Sequence, residues 1–366
     1  MIRPLLRFFK EKAGIGYPKA ERNPTDWSHL DPSRIAIPPL PTSVNIELSS
    51  ICNFKGRGGY CPLCAAMLTG GRPKGFMERS SFERLIDEIS SFVKDIGFVG
   101  HGEPGAHPEV WELLSYASKK GIKTFMCTNG LTLNPKIYGR IIDANISRLD
   151  ICLEGMTDEV HRTYRKGSDF YALIQAIAGL ADLKKRGLLR TRLVVQTVAL
   201  RTNEHQISDI AKWCEELGIH HRIQTASFGH DRISHQGILR EKFEPQNPDL
   251  QRVALHRNPD PGDQRSKRIV YCPWAEKAMI LHSGDVIKCC YDFEGSQLMI
   301  GNAFSTGSFT QVWEDQRHLD LLKAIYFARI PFCFQVTCDR KFVTCDTPEP
   351  GISPDSELGQ VTGYEE

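Results

Sequence analysis

Cys52-Asn-Phe-Lys-Gly-Arg-Gly-Gly-Tyr-Cys61-Pro-Leu-Cys64 follows directly on the alternation of Val44, Ile46 and Leu48, which places three cysteines on a glycine-rich loop at the end of an expected strand. A tetrahedral zinc or a four-iron cluster takes four ligands, so three thiolates leave one metal position open. The glycines at 56, 58 and 59 do not form a phosphate loop, because no Gly-Lys-Ser/Thr follows them.

Outward from this loop, strand-like and helix-like segments alternate six times. The expected strands are Ser43 to Leu48, Asp95 to Gly100, Lys123 to Cys127, Arg148 to Leu153, Arg190 to Leu200 and His220 to Ala226. Helix starts are read at Ser80 with Glu83 as a capping box, at Asn134 before Pro135, and at Asn203 with Gln206, and helix stops at Gly121, Gly187 and Gly218. Regular β-α alternation means a parallel sheet with helical crossovers. Six units are too few for a closed eight-stranded barrel, so the expected fold is α/β, a partial (β/α)6 TIM-like barrel with a small C-terminal extension.

The division that follows is an irregular, Pro-rich lead-in over 1–42, the barrel over 43–228, a polar linker or lid over 229–268, an extension over 269–346 and a Pro-, Gly- and acid-rich disordered tail over 347–366. In the extension, Lys277 to His282 and Asp285 to Cys289 around Ser283-Gly284 predict a β-hairpin, and Phe309 to Phe327 predicts one helix with Val312, Trp313, Leu319, Leu322 and Ile325 on its apolar face.

With 46 basic and 44 acidic residues and no long run of one sign, polyanion binding is disfavoured and no nucleic-acid partner is expected. No apolar run approaches the roughly 20 residues that span a bilayer, and the opening MIRPLLRFFKEK is broken by Arg7 and Lys10, so neither membrane insertion nor a signal peptide is expected. Twelve clustered cysteines fit metal ligation in a reducing compartment, the cytoplasm.

The cysteine loop and four later segments together resemble the radical S-adenosylmethionine (radical SAM) superfamily. In that family three loop cysteines hold a [4Fe-4S] cluster whose fourth iron is chelated by S-adenosylmethionine, and the resemblance implies this role for Cys52, Cys61 and Cys64. The family spacing is most often C-x3-C-x2-C, whereas eight residues separate Cys52 from Cys61 here, which requires Lys55 to Tyr60 to loop outward. Gly100-His101-Gly102-Glu103-Pro104 is similar to the family's GGEP segment, which receives the SAM ammonium, with His101 where a glycine is common. Thr128-Asn129-Gly130 follows the third strand as in the family. Ile151-Cys152-Leu153-Glu154-Gly155 resembles the ISLDG segment that lies against SAM, with Cys152 for the Ser and Glu154 for the Asp. The stretch from Thr197 through Asn203 to Glu204 resembles the segment flanking the adenine and ribose.

Cys272, Cys289, Cys290, Cys333, Cys338 and Cys345 form a second group, similar to the SPASM and twitch extensions that bind auxiliary [4Fe-4S] clusters. A full SPASM extension closes with C-x2-C-x5-C-x3-C, and the spacing Cys333-x4-Cys338-x6-Cys345 favours one auxiliary cluster over two. The implied ligands are Cys272, Cys289, Cys333 and Cys338, with Cys345 as substitute; zinc is the alternative metal. Cys290, facing opposite to Cys289 on a strand, would be a hydrogen-atom donor in an epimerase, and Asp292 a general base in an oxidation.

The resemblance implies an enzyme that cleaves S-adenosylmethionine reductively and abstracts a hydrogen atom from an organic substrate, the auxiliary cluster accepting an electron in a dehydrogenation or bond formation. A reductant such as flavodoxin or ferredoxin is the implied partner. A lead-in too short for a leader-binding module favours a small molecule over a peptide, with an epimerase and a peptide-modifying maturase as alternatives. The reading from another class is a zinc- or cluster-stabilised binding protein without radical chemistry. Cys127 and Cys214 are expected to pack in the core.

Overall fold

In the computed structural model the described residues are 35–64, 72–226, 236–251, 267–272, 274–292, 294–326 and 342–345. Most of the lead-in and of the linker, the thiols Cys333 and Cys338, and the tail lie outside them.

Six strands run parallel and in chain order: β1 (Ser43–Ile46), β2 (Asp95–Phe98), β3 (Lys123–Thr128), β4 (Arg148–Cys152), β5 (Arg192–Ala199) and β6 (His220–Thr225). Between them lie α1 (Arg79–Ile89), α2 (Val110–Lys119), α3 (Tyr138–Ala144), α4 (Asp158–Tyr164), α5 (Phe170–Lys185) and α6 (Ile207–Glu216). Alternate strand residues such as Ile46, Phe98, Met126, Leu149, Ile151 and Val195 share one core with Phe82, Leu114, Ile141, Leu180 and Ile210 of the helices. The residues between them, among them Asn45, Gly97, Phe125, Asp150 and Gln196, therefore face the other side of the sheet, the interior of a partial barrel.

Helix ends follow the expected residues in part. Gly121, Gly187 and Gly218 take positive φ just past α2, α5 and α6, and Asn134 accepts from the Lys136 amide. The capping box at Ser80 is not formed: Glu78 is the cap of α1, accepting from the Ser81 amide at 3.0 Å, and Ser80 lies inside the helix. Asn203 does not cap the following turn either, because its amide is spent on the Leu200 N–H and the Val198 carbonyl. Part of the stretch expected to be an irregular linker is a helix, α7 (Gln236–Phe243), whose Phe243 is buried against Tyr164.

The extension joins the barrel sheet. β8 (Met279–Ile280) and β9 (Asp285–Ile287) form the expected hairpin around Gly284, φ 91°, and β10 (Met299–Asn302) adds to β9. β8 pairs parallel with β1, Asn45 and Glu47 donating to the carbonyls of Ala278 and Ile280, so the sheet has nine strands in the order β10-β9-β8-β1-β2-β3-β4-β5-β6. An open barrel leaves β1 with unpaired backbone groups along its edge, and the hairpin satisfies them. A further strand, β7 (Lys267–Tyr271), pairs with β11 (Phe342–Cys345).

The helix expected over Phe309 to Phe327 is two, α8 (Phe309–Glu314) and α9 (Gln316–Tyr326), broken at Asp315, which takes an extended conformation and accepts from the Arg317 amide. Glu88 of α1 caps α8 by accepting from the Ser308 hydroxyl and the Phe309 and Thr310 amides at 2.7 to 2.9 Å. Among the described residues, no helix is long and apolar enough to cross a membrane.

Because Glu88 satisfies orphan donors of α8 from another element, Glu88→Ala is expected to cost about 1–2 kcal/mol. Urea unfolding monitored by Trp fluorescence measures this, and an unchanged midpoint would show that the contact does not hold the extension.

Candidate functional site

The cysteine loop leaves β1 and returns through a short 3-10 turn at Lys55–Arg57, with Gly58 at φ 67°. Lys55 to Gly58 are exposed, so the inserted residues do loop outward, and Gly59 is buried against the backbone of Lys166 and Gly167. A Cβ at Gly59 would stand 2.0 Å from the Lys166 carbonyl oxygen, so only glycine permits this approach.

The three thiols lie together in a pocket of Phe54, Tyr164, Leu200 and Phe243; Cys61 senses the charge of Cys52 and Cys64, and Cys52 that of Cys64. Burial pushes the Cys52 thiol up to about 11 and the Cys61 thiol to about 12. Thiols so placed become ligands only where a metal cation replaces their protons. Among the described residues no three His, Cys, Asp or Glu converge on a single metal position. Three thiols on one loop are the donor set of a four-iron cluster in which each thiolate holds a different iron and the fourth iron is left open.

Arg165 is the counter-charge, a residue that the sequence motifs do not mark. Its Nε and Nη2 each donate to Glu154 at 2.8 Å, and its Nη1 lies 3.6 Å from the Cys61 sulfur. Glu154, fully buried, has both oxygens committed to this guanidinium, so it positions Arg165 where a contact to S-adenosylmethionine was expected.

The loop after β2 is locked to its neighbours. The buried Glu103 accepts from the Gly105 and Asn129 amides and the Thr128 hydroxyl at 2.6 to 2.8 Å, which ties the β2 and β3 loops together, and burial raises its carboxyl. Three donors fill all but one of the roughly four acceptor positions of this carboxylate, which was expected to receive an ammonium group. Asn129 turns its amide to Asn53, 2.8 Å, and toward the Cys52 sulfur, 3.9 Å. Gly100 lies under Glu47, and a Cβ at Gly102 would stand 2.3 Å from the Ser49 carbonyl. Pro104 starts the following short turn.

Thr197 and Asn203 are not open to a ligand: the Thr197 hydroxyl bonds the Leu153 carbonyl and the His221 ring, and Asn203 closes its own turn. Cys152 is buried 3.7 Å from Cys127 at the interior face of the barrel end, and Cys214 packs in the core.

His101 carries out a task that its position in the motif does not reveal. Its ring joins Arg72 through Nδ1, 3.0 Å, and the Cys290 carbonyl through Nε2, 3.0 Å, while its amide donates to Glu47. Glu47 also takes Arg72, 2.5 Å, and His282 of the hairpin turn, 3.2 Å. Burial alone would raise the Glu47 carboxyl, but the hydrogen bonds from His282 and Arg72 outweigh it and bring it down to about 2. This buried network joins the strand before Cys52, the loop after β2 and the segment carrying Cys289.

In the extension, Cys272, Cys289 and Cys290 lie within electrostatic reach of one another. Cys289 and Cys290 lie past the end of β9 and not on a strand, so the strand alternation expected to turn Cys290 away from its neighbour does not apply, and Cys290 packs against the cluster of Trp274, Met279, Leu281 and Ile287. Lys288, fully buried, donates to the Ala275 carbonyl at 2.9 Å and sits 3.8 Å over the Trp313 ring. Asp292 serves a different role from the expected general base: its buried carboxylate accepts from the Gly295 and Leu298 amides and organises the turn before β10. Cys345 ends β11 opposite Lys267.

Comparison with known proteins agrees with this arrangement. The model of the Radical SAM superfamily matches residues 46–214, and that of the SPASM iron-sulfur cluster-binding domain matches residues 272–339. The AdoMet-dependent heme synthase of Methanosarcina barkeri is 27% identical over 184 residues, half of this chain and half of that protein. The mycofactocin maturase of Mycobacterium ulcerans is 25% identical over 300 residues, 75% of each chain. The structure of Streptococcus suis SuiB bound to precursor peptide SuiA superposes with a TM-score of 0.57 at 15% identity, covering 88% of this chain and 80% of that one, and shows the shared fold.

Glu47 has a folded pKa below its unfolded value of 4.5, so its contribution is complete above that value and is lost as pH falls toward 2. Glu47→Gln is expected to flatten the acid limb of a stability-against-pH curve from urea unfolding, by on the order of 3 kcal/mol; an identical limb in both proteins would contradict the network. Gly102→Ala should force the β2 loop off the cysteine loop, and the check is iron retained after desalting, expected to drop relative to wild type.

Proposed function

We propose that this chain, whose barrel is a radical SAM domain and whose extension is a SPASM iron-sulfur domain, catalyses a two-electron oxidation of a carbon centre in an organic substrate. The groups those domains hold supply, when bound, a 5′-deoxyadenosyl radical that abstracts hydrogen and an auxiliary cluster that can take up the remaining electron.

The chain's own residues do the rest. Cys52, Cys61 and Cys64 hold the cluster at the barrel end, Arg165 offsets thiolate charge there, and Glu154 fixes Arg165. Asn129 and Glu103 keep the loops around the open coordination position in register. Cys272 and Cys289, with Cys333 and Cys338 as the remaining donors and Cys345 as the substitute, hold the auxiliary group. The Glu47, Arg72, His101 and His282 network sets the two sites against each other.

Oxidation is favoured over epimerisation by the match of residues 272–339 to an iron-sulfur cluster-binding domain, which supplies an acceptor for the second electron. The substrate is a peptide or a small molecule, since the relatives include a cyclase named for a peptide as well as a mycofactocin maturase and a heme synthase.

Anaerobically reconstituted protein is expected to carry about eight irons and to form 5′-deoxyadenosine from S-adenosylmethionine and reductant. The Cys52→Ala, Cys61→Ala, Cys64→Ala variant should keep only the auxiliary iron and form none. A colourless zinc protein, or one inert toward S-adenosylmethionine, would overturn the enzyme reading, and a product carrying solvent deuterium at the attacked carbon would favour the epimerase.

A further inference from the structure

On the interior face of β4, β5 and β6 three arginines surround one carboxylate. Asp150, fully buried, pairs with Arg148 Nε at 2.8 Å and with Arg222 Nη2 at 2.8 Å, and it also senses Arg192. Arg148 lies flat over Phe125, 4.6 Å from its centroid, and Arg222 reaches Gln196 with the same nitrogen that pairs with Asp150. The formal balance is three positive charges against one negative. The Nε atoms of Arg148, Arg192 and Arg222 and the Oδ1 of Asp150 are buried without a hydrogen bond, although Arg148 Nε and Asp150 Oδ1 stand 2.8 Å apart as an ion pair, so the cluster keeps unmet donors.

Arg222 differs from the others in being open: 42% of its side chain is exposed, against none of Asp150. Its Nη2 is shared by Asp150 and Gln196 and its Nε is buried, which leaves Nη1 as the charged donor that an anion reaches from the exposed side. Its place matters as well. Arg222 stands in register with Gln196 and Cys152, the last residue of β4, and Arg165 at the cysteine site senses Cys152. Asp150 lies two residues further down β4, roughly 7 Å along the strand. A group bound at this layer therefore sits directly beneath the barrel end that carries the cysteine loop.

We propose that Arg222, backed by Arg148 and Arg192, is an anion subsite that takes a carboxylate of the substrate and so holds the substrate inside the barrel below the cluster site. The proposal rests on the enzyme reading above and narrows its substrate class to carboxylate-bearing molecules. Asp150 is the positioning residue that holds the Arg148 and Arg222 guanidiniums in place in the absence of ligand, and the substrate carboxylate neutralises part of the excess charge.

The test uses full-length, anaerobically reconstituted protein and two probes of similar shape, glutarate and its neutral diamide, titrated calorimetrically. Glutarate is expected to bind at millimolar concentration and glutaramide not, with Arg222→Gln weakening glutarate about tenfold or more. Equal binding of the two probes, no glutarate binding at millimolar concentration, or unchanged binding by a folded Arg222→Gln would overturn the subsite. The probe comparison needs no variant, so it decides the matter even where the substitution impairs folding. Formation of 5′-deoxyadenosine by the wild type is scored separately. Glutarate binding without it sinks only the enzyme reading, and its formation without carboxylate discrimination sinks only the subsite.

Discussion

A carboxylate in a barrel interior is costly unless its charge is matched, and Glu47 is matched from three directions at once. Arg72, His101 and His282 come from a loop, a strand end and a hairpin turn distant in sequence, and all three converge on this side chain. Glu47 also donates its backbone amide to Ile280, so the same residue joins the sheet edge to the extension. The relative placement of the two cysteine sites follows from it, because the next partner of His101 is the Cys290 carbonyl.

The second constraint is close backbone approach. Gly59 against Lys166 and Gly102 against Ser49 let three loops stack where any side chain would hold them apart. The longer spacing between Cys52 and Cys61 is thereby accommodated: the extra residues swing into solvent, while Gly59 returns the chain to the barrel and the thiols remain together.

Buried polar groups at the barrel end divide into those that hold the frame and those facing the reaction space. Glu103, Thr197, Asn203 and Asp292 belong to the first kind, since their oxygens and amides are consumed by neighbouring backbone or side chains. Arg165 and Arg222 belong to the second, one turned toward sulfur and the other open on the interior face. A motif position alone does not separate the two kinds, because both require a polar residue at a strand end.

The period-two alternation of six strands and the glycine stops were enough to determine a parallel open barrel, and the three-cysteine loop to mark the end of it where chemistry was expected, because these signals are local. The hairpin was legible for the same reason, through Ser283-Gly284. The break at Asp315, the Glu78 cap and the helix at Gln236–Phe243 were not, since their alternatives have similar local cost and packing chose among them. Above all, the tertiary structure decided which side chains meet. Charge partners such as Glu47 with His282 or Asp150 with Arg222 are separated by long stretches of chain, and no sequence pattern marks two residues whose only relation is that folding brings them into one desolvated space.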